Sequence, residues 1–473
     1  MTNHVGSRES SDSAQISRKK SRARKPVCWS AEGLNVRRHI VHLVLLIFNR
    51  ILPHSGRQLH IEYCNTVSNL TQPTRPYSSK SASSMAEVKG YADAPFENLK
   101  SLLGQLIASG EELGASIVLN IDGKNVVDIW GGYFDEAKTQ PWTKDTITNV
   151  WSSTKTISAL AVLILVDRGV LDPYAKVSKY WPEFAQNGKE NVEVRHFLSH
   201  TSGVSGWNDP ITIEEIENLS ISIPRLEKQA PFWPPGTALG YHAYTMGHLT
   251  GELIKRTTGK SMKQFVADEI AGPLGADFQI GAVEEDWPRV SSVIPPPPIP
   301  TDFAKMDPNS PTIKTFANPP MDALFALRPE WRRADMGAVN GHGNARSLVR
   351  CLSPITLGGT VDGVKLLSSK TIDLIFNEQA NGIDVVLGMP LRMGIGFGLT
   401  GGGTSQSAPL LPKGRVCFWG GWGGSLILMD LDRKVTLSYV MNKMGAGLFS
   451  SAKTELYLKA VYKALGVEEY AKF

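Results

Sequence analysis

The chain has 473 residues, 42% of them hydrophobic and 20% charged, enough to bury a large core in one big or two interleaved domains. Its formal charge of +5 is misleading: residues 1–84 hold 13 Lys and Arg against 4 Asp and Glu, leaving 37 basic and 41 acidic residues for the rest, a balance that excludes a nucleic-acid surface there. Cys28, Cys64, Cys351 and Cys417 lie far apart with no CxxC pair, which excludes a cysteine-rich metal site and makes a reduced, intracellular compartment the default.

Residues 1–84 are Ser-, Arg- and Lys-rich, and their one apolar island, 40–52, is too short to span a membrane. The composition fits a mitochondrial transit peptide with a processing site at Arg75-Pro76-Tyr77-Ser78-Ser79, and fits equally a disordered tail or a start at Met85. The expected location is therefore cytoplasmic or mitochondrial. The terminal Ala471-Lys472-Phe473 is only a loose peroxisomal match.

Folded-domain patterning begins at residue 85. Phe96, Leu99, Leu102, Leu103 and Leu106 predict an amphipathic helix over 95–108. Two β-prone runs, 115–121 and 126–130, flank Asp122-Gly123-Lys124 and read as a hairpin. Next comes Trp151-Ser152-Ser153-Thr154-Lys155, ahead of a run over 157–166 that is apolar nearly all round and predicts a buried helix. Serine and lysine three apart share a helix face, so hydroxyl and amine can meet; burial would lower the lysine pKa toward the neutral amine. The tetrapeptide is not specific alone, since it recurs at Ser17–Lys20 and Ser450–Lys453, and Ser and Thr are ordinary helix caps. The middle, 171–344, reads as helix and loop, with a helix running into the His200-Thr201-Ser202-Gly203 turn, a helix over 246–256, and a stiff proline tract at 295–298. Strands return at 415–418, 425–429 and 435–441, and a helix over 451–465 follows. The expected fold is α/β of the α+β type: an antiparallel sheet built from both chain ends (85–170 and 345–473), flanked by helices, with a mostly helical region inserted.

Three further stretches bear on Ser152: Pro235-Gly236-Thr237-Ala238-Leu239-Gly240-Tyr241-His242-Ala243, Trp419-Gly420-Gly421-Trp422-Gly423-Gly424-Ser425 between two strands, and the His200-Thr201-Ser202-Gly203 turn. With these motifs in this order, residues 95–465 resemble the serine β-lactamase and penicillin-binding-protein superfamily, in its class C-like branch of esterases and transesterases. The resemblance implies that Ser152 is the nucleophile, Lys155 its base and Tyr241 a proton shuttle. It implies an oxyanion hole from the backbone N–H groups of Ser152 and Trp422, with Trp419, Gly420 and Gly421 as the substrate-binding strand edge. Two positions depart from the β-lactamase pattern: Ala243 stands in place of an asparagine, and Trp419 in place of a cationic or polar residue. Both count against β-lactam hydrolysis. With Trp422, Trp207 and Phe232, they imply a pocket for an apolar acyl or alcohol group.

The expected activity is thus ester hydrolysis, or transfer to an alcohol in polyketide-like small-molecule metabolism, through a Ser152 acyl-enzyme without metal or organic cofactor. β-Lactam hydrolysis and a non-catalytic scaffold are the alternatives, and the oligomeric state stays open. A Ser-His-Asp hydrolase of the Gly-x-Ser-x-Gly kind is excluded, because no serine has that setting. His200 reads as a capping or packing residue, and His342 as part of a Gly-rich turn.

Overall fold

Asp122 and Gly123 both take left-handed backbone, φ 48° and 87°, the two-residue turn whose twist matches that of paired strands. In the computed structural model, which describes residues 87–298, 302–404, 408 and 410–467, this turn joins β2 (Gly114–Ile121) to β3 (Lys124–Gly132). A short β1 (Lys89–Ala92) lies on the outer edge of β3. β4 (Thr148–Asn149), β5 (Gln279–Ile280) and β6 (Gly341–Gly343) form a small separate antiparallel sheet in the order β4-β6-β5. β7 (Thr360–Val361) and β8 (Val364–Lys365) are a hairpin of their own. The C-terminal strands are β9 (Ala380–Ile383), β10 (Pro390–Met393), β11 (Gly398–Leu399), β12 (Val416–Gly420), β13 (Leu426–Asp430) and β14 (Val435–Met441).

The main sheet has nine strands among the described residues, in the order β1-β3-β2-β14-β13-β12-β11-β10-β9. All pairs are antiparallel. Its middle is the junction of the two chain ends, where β14 pairs β2 from Val435 opposite Ile121 to Met441 opposite Ala115. The expected architecture holds, with more strands than were read from the sequence. β1 and β9 are largely exposed edge strands without apolar alternation, and β11 has only two residues, so none carries a period-two signal. β5 and β6 fall inside the region expected to be helix and loop, again too short to show a period.

Helices α1 (Glu97–Ser109), α2 (Thr154–Asp167), α3 (Thr245–Thr258), α4 (Ala345–Thr356) and α5 (Ala452–Ala464) flank or pack near this sheet. α1 and α5 touch one another, α4 lies on β2, β13 and β14, and α2 packs against α3 and α4. α2 is the central helix: every residue from Thr154 to Leu165 is buried. Burying each Leu, Ile or Val there stabilises the fold by about 1.5–3 kcal/mol, so the helix needs no polar face. Residues 1–84, with Cys28 and Cys64, and Ala471-Lys472-Phe473 lie outside the described residues. No helix among the described residues is long and apolar enough to cross a membrane.

Candidate active site

The turn that opens α2 is shaped by its neighbours in the small sheet. The Val150 N–H donates to Gly341 O of β6 at 2.8 Å, and the Gly341 N–H donates to Thr154 Oγ1 at 2.9 Å. Between these ties Trp151 takes a left-handed φ of 51°, a costly conformation for an aromatic residue that its packing sustains: its ring lies 5.6 Å from Trp331 and 5.1 Å from Trp422. Ser152 follows in a single 3₁₀ turn, Trp151–Ser153. Neither this turn nor α2 has a side-chain N-cap: Ser153 places its hydroxyl 3.0 Å from Ser425 Oγ instead. The usual capping role of serine therefore does not explain Ser152 or Ser153.

Ser152, Lys155 and Tyr241 come together. The Tyr241 hydroxyl donates to Ser152 Oγ at 2.6 Å, and Lys155 Nζ lies 3.2 Å from the same oxygen. Lys155 Nζ also donates to Ala243 O at 2.8 Å and Ala338 O at 3.0 Å, and sits 4.8 Å from the Tyr241 ring centre. Among the described residues no carboxylate pairs with it. Burial drives its pKa well below the ordinary lysine value. A neutral amine has two N–H bonds, which the two carbonyls take up, and its lone pair is left for the Ser152 hydroxyl proton. Burial, above all, pushes the Tyr241 phenol the other way, well above its ordinary value, so it stays protonated and keeps donating. Ser152 is 7% exposed and Lys155 1%, a nearly dry site with the serine as its accessible member.

The glycine-rich segment at the end of β12 meets this turn directly. Ser425 Oγ donates to Val150 O at 2.8 Å. A Cβ on Gly421 would collide with that carbonyl and with Ser425 Oγ, and one on Gly420 with Phe449 O, so side chains are excluded where the two turns close. Trp422 lines an apolar cavity of about 560 Å³ together with Phe316, Met321, Val386 and Leu448. Trp419 faces the aromatic group around Tyr241: its ring is 5.8 Å from Tyr241 and 4.7 Å from Phe449, and it borders a second apolar cavity of about 380 Å³. Ala243 contributes its carbonyl, not its side chain, to the cluster.

Trp207 is not brought to this site. Its indole is 1% exposed, donates to Ser222 O at 3.1 Å and stands edge-on to His248, which makes it a core residue of the helical region. Phe232 is half-buried, its N–H on Gly203 O. His342, expected in a Gly-rich turn, lies instead in strand β6, paired with β4 and β5, with Nδ1 on Asn340 O.

Sequence reasoning undervalued His200 and missed Asp384, Phe316 and Phe449. His200 has a left-handed φ of 60°, is buried, and lies 5.0 Å from the Tyr241 ring. Burial drives its pKa well below the ordinary histidine value, so it is neutral. Asp384 accepts the Tyr241 N–H at 3.1 Å. Its one signal in the sequence is a turn that opens on Asp384 and carries Gly388.

Known proteins share this fold. Esterase/beta-lactamase LipL of Mycobacterium tuberculosis is 29% identical over 375 residues, covering 76% of this chain and 83% of LipL. A solved family VIII carboxylesterase superposes with a TM-score of 0.74 at 33% identity, covering 80% of this chain and all of that one. A penicillin-binding-protein homologue from Caulobacter crescentus gives 0.73 at 33% identity, covering 80% and 99%. The Beta-lactamase family profile matches residues 99–461, most of the chain, and on that match the protein belongs to the Beta-lactamase family.

Proposed function

We propose that this protein is a serine hydrolase of carboxylic esters, able to pass the acyl group to water or to an alcohol, with Ser152 as nucleophile. One observation carries the reading: Ser152 Oγ lies 2.6 Å from the Tyr241 hydroxyl and 3.2 Å from a desolvated lysine amine that has no acidic partner among the described residues. In this scheme Lys155 takes the Ser152 proton as Oγ attacks the ester carbonyl. The tetrahedral oxyanion rests on the N–H groups of Ser152 and Trp422, at a helix start left without a side-chain cap. Collapse expels the alcohol, which receives a proton through Tyr241, and leaves the acyl-enzyme. Water or a second alcohol then attacks, gives up its proton along the same path, and regenerates Ser152.

The apolar linings beside Trp422 and Trp419 support an ester with an apolar acyl or alcohol part. The names of LipL and the family VIII carboxylesterase support ester chemistry. LipL's name also includes β-lactamase, which makes β-lactam hydrolysis the second reading. Ala243 and Trp419 offer no polar side chain for a β-lactam's amide or carboxylate beyond the indole N–H.

Intact-protein mass spectrometry with a short-chain p-nitrophenyl ester tests the proposal. An acyl adduct on Ser152, lost in Ser152→Ala, is expected. Labelling by penicillin but not by the ester would support the second reading, and no adduct from either would sink both.

A further inference from the structure

Tyr241 reaches Ser152 from a loop with no regular secondary structure, yet its hydroxyl must be held to within a few tenths of an ångström for proton transfer. Three consecutive backbone N–H groups fix that loop. Gly240 donates to His200 O at 2.9 Å and His242 to His200 Nδ1 at 3.2 Å, while the middle one, Tyr241, donates to Asp384 Oδ1 at 3.1 Å. His200 can accept through Nδ1 because it is neutral.

Asp384 is fully buried at the start of the turn joining β9 to β10. The same Oδ1 accepts the N–H groups of Val386 at 2.8 Å and Leu387 at 2.9 Å, and Oδ2 has no partner among the described residues. The turn is docked on the Tyr241 loop a second time, by the Val385 N–H on Leu239 O at 2.8 Å. Residues 385–388 also line the 560 Å³ cavity that Trp422 borders. A buried carboxylate with one unpaired oxygen is costly, and a simple turn does not require it.

We propose that Asp384 is a positioning residue for the reaction: by holding the Tyr241 N–H and the cavity wall on one oxygen, with His200 holding the flanking N–H groups, it sets the Tyr241 hydroxyl against Ser152. The proposal rests on the reading of Tyr241 as proton shuttle. It assigns to Asp384 no contact with substrate, and makes the acceptor geometry of Oδ1 the essential property. It also links the wall that an apolar substrate would touch to the group that moves the proton.

The test is steady-state hydrolysis of p-nitrophenyl acetate by the full chain, with folding checked by circular dichroism and thermal unfolding. Asp384→Ala is expected to lower kcat by about 30-fold or more while KM stays within about 3-fold, because a misplaced shuttle affects the chemical step. Asp384→Asn keeps the acceptor oxygen and is expected to stay within about 3-fold of the parent enzyme. In a Tyr241→Phe background, Asp384→Ala is expected to change kcat by less than about 2-fold, since the hydroxyl through which it acts is gone. Should Asp384→Ala not fold, Asp384→Glu, which displaces the acceptor, is read in the same way. Additive losses in the double variant, an unchanged kcat in Asp384→Ala, or equal losses for Asn and Ala would overturn the proposal. Full activity in Tyr241→Phe alone would instead overturn the shuttle reading, and the proposal with it.

Discussion

Ser425 and Val150 are 275 residues apart in the chain and joined by one hydrogen bond, Ser425 Oγ to Val150 O at 2.8 Å. With Ser153 Oγ 3.0 Å away, Ser425 fastens the glycine-rich turn to the turn that carries Ser152. The two N–H groups proposed to hold the oxyanion belong to these two turns, so their spacing depends on this fastening. Ser425→Ala should lower stability by about 1–2 kcal/mol and reduce kcat more than it raises KM. Denaturant unfolding and ester kinetics on the same preparation check both parts.

A methyl group at residue 421 would force the same turns apart. Gly421→Ala should cost about 100-fold or more in kcat/KM, since a displacement near 1 Å at a reacting centre has that scale. Trp207→Phe provides the contrast: it should lower stability by about 1–3 kcal/mol, through the lost bond to Ser222 O and reduced packing, and leave KM unchanged. A large rise in KM for Trp207→Phe would return that residue to the substrate site.

The pH dependence of kcat/KM should follow Lys155. Its folded pKa lies well below 10.5, so the amine becomes an available base as pH rises through that depressed value, and activity should climb on the acid side. No alkaline loss should arise from Tyr241 near pH 10, because its ionisation is pushed higher. Stability has the same sign. Between the folded pKa and 10.5 the unfolded chain binds a proton at this lysine that the native state does not, so this group's contribution grows with pH across that window and is lost as pH falls through it. Rate profiles of the parent enzyme, with Lys155→Ala expected to be down by about a thousand-fold or more, check the assignment.

Lys453 belongs to a second Ser-x-x-Lys stretch, and the structure gives it a different task. Its Nζ donates to Glu112 Oε1 at 2.8 Å and to Lys443 O at 2.8 Å in a buried site where Glu112 also accepts from Tyr439. Burial raises the Glu112 pKa in spite of the neighbouring amine, so desolvation there outweighs the attraction. Lys453→Met should therefore destabilise by about 3–5 kcal/mol by leaving a buried carboxylate unpaired, and Glu112→Gln in the same chain should recover much of that loss. Urea unfolding of the single and double variants decides it.

Some of this was legible in the sequence and some was not, for physical reasons. The Asp122-Gly123 turn, the apolar run of α2 and the strands from 416 to 441 announce themselves through turn chemistry and hydrophobic pattern. Meeting of Ser152 with Lys155 follows from helical spacing, but that of Ser152 with Tyr241 needed the resemblance, since no local rule links residues 89 apart. Trp207 misled because a tryptophan in a loop looks the same in sequence whether its indole faces a pocket or Ser222 O. Asp384 was invisible for the opposite reason: an aspartate opening a turn is ordinary, and only the fold brings the Tyr241 N–H to it.

The pairing of β14 with β2 has a consequence for how the protein is made. The first hairpin leaves the ribosome with an open edge that its partner, more than 300 residues later in the chain, cannot cover until that strand has itself been made. Ser152 emerges early, whereas the turn at Trp422 emerges only just ahead of that closing strand. A nascent or C-terminally shortened chain would therefore carry the serine without the second turn beside it, so hydrolytic competence should arrive late and all at once, with the last strand of the sheet.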